Sequence, residues 1–193
     1  MRPQILITSA DVDKLKQKAR KLKRESGMQH VEALDVVAKS AGFDHWHHVS
    51  ESAKTFEPTE TAYYFGVIIA MDIKDAMDFR DESGRFVEDD YAYVLCASDL
   101  HQALCEALDD DGIPFREKYS EAELKEWAGD DLMNYGFFRF SDLKTPASVD
   151  DVMKIVRECS FWPPQYIWFK GTFQESPSDQ AIDDDGEVVG VHF

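Results

Sequence analysis

The chain has 193 residues, 44% apolar and 31% charged, with 38 Asp/Glu against 21 Lys/Arg and a net charge of −17. That apolar share excludes an intrinsically disordered chain. The acidic excess disfavours contact of the whole molecule with nucleic acid or an anionic membrane, and favours basic partners and cations.

The charge is unevenly spread. Residues 1–50 hold nine Lys/Arg and six Asp/Glu, a net of +3, and residues 51–193 hold twelve and 32, a net of −20. Taking the elements in order, Thr8 or Ser9 caps a first helix with Asp11 and Asp13 in its opening turn. Val12, Leu15, Ala19 and Leu22 recur at helical spacing among seven cations, and Gly27 ends the run. A second helix is predicted from Gln29 to Ala41, with Gly42 just past its end. A short third helix capped by Asp44 carries Trp46 and Val49. Residues 1–52 are thus expected to form a basic three-helix head and residues 53–61 a linker.

Residues 62–193 are expected to form an acidic α+β domain. Strands are predicted at Tyr63–Met71, Tyr91–Ala97, Phe137–Phe140, Tyr166–Phe173 and Glu187–Phe193. Helices are predicted after Ser98, from Ser120 with Glu123 as a capping box, and from Ser148 with Asp151, while Gln174–Gly186 is predicted as an exposed loop. The fold class is therefore α+β: a mostly antiparallel sheet with helices packed on one face.

Cys96, Cys105 and Cys159 show no CxxC spacing, which predicts free thiols in a reducing compartment. The N-terminus lacks the apolar core of a signal peptide, and Tyr63–Met71 is too short to span a bilayer. A cytoplasmic protein without a membrane partner follows.

Four groups of residues are candidate sites. Lys14, Lys18, Lys21 and Arg24 on the first helix form a solvated face, a phosphate-neutralising surface, or a surface that meets acidic protein. His45 and His48, spaced i, i+3, are placed to share a metal. Asp109, Asp110 and Asp111, with Asp183, Asp184 and Asp185, form acidic turns suited to a basic partner. Helices two and three resemble a helix-turn-helix, but the spacing from Gly42 to Val49 is one residue long and the reading helix offers no Arg or Lys, so a plain αα-hairpin is expected. No Gly-rich phosphate loop, GxSxG or HExxH is present, so no catalytic motif is found and no cofactor is expected.

His30, Ala33, Leu34, Asp35, Ala38, Gly42, Phe43 and Trp46 form the pattern His-x-x-Ala-Leu-Asp-x-x-Ala followed by Gly-Phe-x-x-Trp. This stretch resembles a helical segment of bacterial proteins often carried on plasmids and other mobile elements, some labelled glyoxalase-related. The resemblance covers only this segment and transfers no site residue. The metal-bearing βαβββ modules of glyoxalase-type enzymes do not match the predicted body, so that activity is not expected. The function expected is a non-enzymatic interaction or regulatory protein whose acidic body binds a basic protein. The alternatives are a nucleic-acid-binding regulator acting through the head, and a metal-dependent enzyme.

Overall fold

The computed structural model describes residues 5–177, 179–182 and 188–192. The chain divides into two compact units, one ending at Glu60 and the other beginning at Thr61.

The first unit holds three helices. In α1 (Ser9–Ser26), Thr8 Oγ1 accepts the Asp11 N–H at 3.1 Å, as expected of the cap. Val12, Leu15 and Ala19 are buried, while six of the seven cations of the helix are exposed and Lys16 is partly buried. In α2 (His30–Ser40), Ala33 and Ala38 are fully buried, so the helix packs closely against α1. α2 ends in a Schellman turn: Gly42 has φ +89°, its N–H reaches Lys39 O at 3.1 Å, and Phe43 N–H reaches Ala38 O at 3.0 Å. Only glycine adopts that φ without strain, and the turn drives Phe43 into the core.

The third helix departs from expectation. α3 runs from Trp46 to Phe65, through the whole stretch expected as a linker and with Pro58 inside it. Val49, Ser52, Phe56 and Thr59 are buried at helical spacing. Two of these are small and polar, which hides the stripe from hydropathy, and Pro58 imitates a helix stop. Glu60 is buried as well and accepts Ser9 N–H at 2.9 and 3.1 Å and Ser9 Oγ at 3.1 Å, tying α3 to the start of α1.

The second unit is built on an antiparallel sheet of order β2-β3-β1-β4-β5: β1 (Val67–Asp72), β2 (Phe86–Glu88), β3 (Tyr135–Phe140), β4 (Tyr166–Phe169) and β5 (Thr172–Glu175). Its helices are α4 (Ile73–Ala76), α5 (Tyr93–Glu106), α6 (Phe115–Lys118), α7 (Glu121–Leu132) and α8 (Val149–Cys159). The α+β class and the antiparallel sheet are as expected. Helices cover both faces, however, rather than one. Val67, Ile69 and Met71 pack with Val152, Met153 and Val156 of α8, while Ile68 and Ala70 pack with Ala92 and with Cys96 and Leu100 of α5. A central strand covered on both sides is apolar without alternation, as Val67–Met71 is. Each fully buried large side chain of these layers contributes roughly 1.5–3 kcal/mol relative to exposure.

Three further elements differ. Tyr91–Ala97 is not a strand: it holds the start of α5, whose N-cap Ala92 and helical Cys96 and Leu100 are buried at a spacing of four. β-formers in a short apolar run masked that period. Tyr166–Phe173 is not one strand but a hairpin, reversed at Lys170 (φ 51°) and Gly171 (φ 79°), the two left-handed residues that a tight hairpin turn demands. The stretch expected as a loop contains β6 (Asp179–Ile182), paired antiparallel with β7 (Val188–His192) in a separate two-stranded sheet.

α7 and α8 keep their expected caps. Glu123 N–H donates to Ser120 Oγ at 3.3 Å, Ser120 N–H to Glu123 Oε2 at 2.9 Å, and Asp151 N–H to Ser148 Oγ at 3.2 Å. Among the described residues, no helix is long and apolar enough to cross a membrane.

Candidate functional site

Of the expected sites, the α1 cations, His45 and His48, and Asp109 to Asp111 fall within the described residues. On α1, Lys14, Lys18 and Lys21 form one exposed stripe with Arg24 beside it. Acids of the same helix answer part of this charge: Lys14 Nζ lies 2.8 Å from Asp11 and Lys21 Nζ 3.9 Å from Glu25. With the unit ending at Glu60, residues 1–60 hold ten Lys/Arg and nine Asp/Glu. The first unit is therefore close to neutral, and seven of its ten cations lie on α1.

His45 and His48 flank the start of α3 with ring centroids 6.3 Å apart. His45 Nδ1 accepts the His48 N–H at 3.0 Å, and His48 Nδ1 accepts the Asp44 N–H at 3.4 Å. Both rings thus use one nitrogen to finish a helix N-terminus. No group of three or more metal-ligating side chains occurs among the described residues.

Asp109 serves a turn rather than a free surface. Its Oδ1 accepts the N–H groups of Asp111 and Ile113, each at 2.9 Å, and Lys118 pairs with its other oxygen. Lys118 also lies 3.6 Å from Asp111. Asp110 and Asp111 remain exposed. Asp183, Asp184 and Asp185 lie outside the described residues.

The structure adds a site that the linear pattern does not mark: a cleft of about 450 Å³ in the second unit. Its walls come from five elements, β2 among them through Glu88. β3 supplies Tyr135, Gly136 and Phe137, α4 supplies Ile73, α5 supplies Tyr93, and α7 with its C-terminal end supplies Gly129, Leu132 and Met133. Glu88, Asp89 and Asp90 complete the lining. Ile73 N–H donates to Asn134 O at 2.7 Å, joining the end of β1 to the segment after α7. A Cβ at position 136 would stand 2.7 Å from Ala76 Cβ, so glycine there lets α4 lie against β3.

The three acids have different roles. Asp89 is buried: its Oδ2 lies 3.2 Å from Arg139 Nε, and its Oδ1 accepts the Tyr91 N–H at 3.0 Å. Its own N–H donates to Phe137 O at 2.8 Å. Glu88 and Asp90 on either side are exposed. Of the adjacent pair Asp89 and Asp90, only Asp90 is exposed. Two acids just before a helix are a recognisable N-terminal signal, but it surfaces only once α5 is seen to start there.

Beside the cleft, partial burial and the charges of Asp72 and Asp78 hold the Asp75 carboxyl above its usual range. Burial and a hydrogen bond to Tyr166 push the Tyr135 hydroxyl well above the ordinary tyrosine value. The cleft therefore has an apolar interior, an internal Asp89–Arg139 pair and negative charge at its edge.

Elsewhere, Asp99 accepts Tyr63 Oη–H at 2.6 Å and Trp168 Nε1–H at 2.9 Å, locking α5 to the sheet. Cys105 Sγ lies 3.6 Å from His101 Nε2 on the same helix. Cys96, Cys105 and Cys159 are free thiols. No protein-family model matches the chain, and no curated protein or solved structure matches it.

Proposed function

We propose that this is a non-enzymatic interaction or regulatory protein whose acidic second unit binds a basic protein partner. The observation that carries this reading is the charge of that unit. Residues 61–193 hold 29 Asp/Glu and eleven Lys/Arg, a net of −18. Six of those cations, Arg85, Arg116, Lys118, Lys125, Arg139 and Lys154, already lie in ion pairs. A surface of this kind steers cationic proteins and repels polyanions. The resemblance of the His30–Trp46 segment makes the bacterial cytoplasm the proposed setting.

The test is crosslinking of the full chain in extract, followed by reconstitution of each recovered protein with the purified chain. A stoichiometric complex with a basic protein, weakened by added salt, is expected. Recovery of acidic proteins alone, or a complex indifferent to salt, overturns the reading.

A second reading rests on the α1 stripe: nucleic acid bound through Lys14, Lys18, Lys21 and Arg24. A mobility-shift titration separates the two. If the stripe binds phosphates, Lys14→Gln, Lys18→Gln and Lys21→Gln together abolish a shift seen at low salt and reduce its salt dependence. No shift at low salt removes this reading.

A further inference from the structure

We infer that the cleft between β3, α4, α5 and α7 is where the partner docks, and that its occupant is an amphipathic basic segment of a protein. That segment places an aliphatic or aromatic side chain inside, with lysine or arginine outside against Glu88 and Asp90. The inference rests on the proposed function and gives it a location and a ligand chemistry.

Apolar surface is the first support. Met133 is 78% exposed, Tyr93 49% and Ile73 48%, and all three line one cleft with Phe137 and Leu132. Apolar residues scattered singly over a surface need no account, but here they converge on a concavity, where covering them releases water. Methionine and tyrosine are also the side chains that interface cores favour. The volume of about 450 Å³ falls in the range of about 300–1,000 Å³ that ligand sites occupy.

The placement of charge is the second support, and it selects the occupant. Asp89, the buried acid of the lining, is already engaged by Arg139 and by the Tyr91 N–H. A small cation entering the cleft would lose water and find the floor's carboxylate taken, which is unfavourable. The exposed acids, Glu88 and Asp90, sit at the edge. Asp72, Asp75 and Asp78 lie in and beside α4, and the Asp72 and Asp78 charges act on Asp75. An apolar centre within an acidic border matches a ligand with an apolar centre and cationic flanks. Nucleic acid, with negative flanks, is repelled by the same border.

The test uses the full chain and two fluorescent peptides of equal positive charge. One has leucine and lysine at helical spacing over about twelve residues, and the other is an oligolysine. Fluorescence anisotropy is expected to show the leucine–lysine peptide binding about tenfold tighter than oligolysine. Met133→Ser with Ile73→Ser removes that preference; both side chains are largely exposed, and circular dichroism confirms the fold. Glu88→Gln with Asp90→Asn weakens the peptide at low salt and flattens its salt dependence. Glu117→Gln with Asp142→Asn, exposed acids that do not line the cleft, changes affinity less than about twofold.

Equal affinity for the two peptides, or sensitivity to the Glu117 and Asp142 pair but not to the cleft variants, overturns the docking site while leaving a basic partner for the acidic unit. Displacement of the leucine–lysine peptide by millimolar tetramethylammonium at constant ionic strength marks a small-cation site and overturns the inference as well. Failure of both peptides to bind at low salt overturns the inference together with the reading beneath it.

Discussion

Asp35 on α2 accepts the backbone N–H of Trp46, the first residue of α3, through Oδ1 at 2.8 Å. A side chain of one helix thus closes the exposed N-terminus of the next, across eleven positions of sequence. This gives the N-terminal pattern a physical meaning. Ala33 and Ala38 allow close packing, Gly42 and Phe43 make the Schellman turn, and Asp35 holds the helix that follows. Asp35→Ala should cost about 1 kcal/mol, the usual loss for a helix cap, seen as a lower urea midpoint with an unchanged slope. A midpoint equal to the parent's would show that water replaces the carboxylate.

Glu60 supports a comparable prediction. It is buried and receives three hydrogen bonds from Ser9, so Glu60→Ala leaves the Ser9 N–H without its acceptor. A loss on the order of 2 kcal/mol is expected, since hydrogen bonds to charged groups are among the stronger ones. Hydrogen exchange should show faster opening at the start of α1, while β1 and β3 keep their protection.

Asp81 sets part of the acid limit of stability. Burial alone would raise its carboxyl, but hydrogen bonds from Ser83 Oγ–H, the Phe86 N–H at 2.7 Å and the Ser83 N–H, together with nearby Arg85, hold it below the usual range. A depressed folded value means that the contribution is present above the unfolded value of about 4, and is lost as pH falls through the folded one. Asp81→Asn should destabilise by about 2 kcal/mol at neutral pH, with the gap to the parent closing below about pH 4. Denaturation midpoints measured across that interval check the sign.

The alkaline limb depends on Tyr63. Burial, followed by the hydrogen bond to Asp99 and its charge, holds the phenol well above its ordinary value. The raised folded value gives stability that is complete below about pH 10 and declines as pH rises beyond it. Tyr135 and Tyr166 are raised by burial in the same direction. Phenolate absorbance should therefore emerge in part only as the chain unfolds. Asp99→Ala, which strands the donors of Tyr63 and the fully buried Trp168, should cost on the order of 3 kcal/mol at neutral pH.

The sequence by itself determined what local chemistry decides. The ends of α1, α2, α7 and α8 follow from Thr8, Gly27, Gly42, Ser120 and Ser148, because caps act over three or four residues. The acidic body and the α+β class were legible for the same reason, as sums over composition and pattern.

Tertiary structure decided the rest. Tyr93–Leu100 became helical because the N-cap Ala92, Cys96 and Leu100 meet the second face of the sheet, which a window of sequence does not contain. α3 continued through Pro58 because Phe56, Thr59 and Glu60 had buried places to fill. The cleft draws its lining from residues 73 to 137, and Asp89 was separated from Asp90 by an arginine fifty positions away. Such a site depends on which distant segments the sheet order brings together, and that order is fixed by the burial of both sheet faces rather than by any run of neighbouring residues.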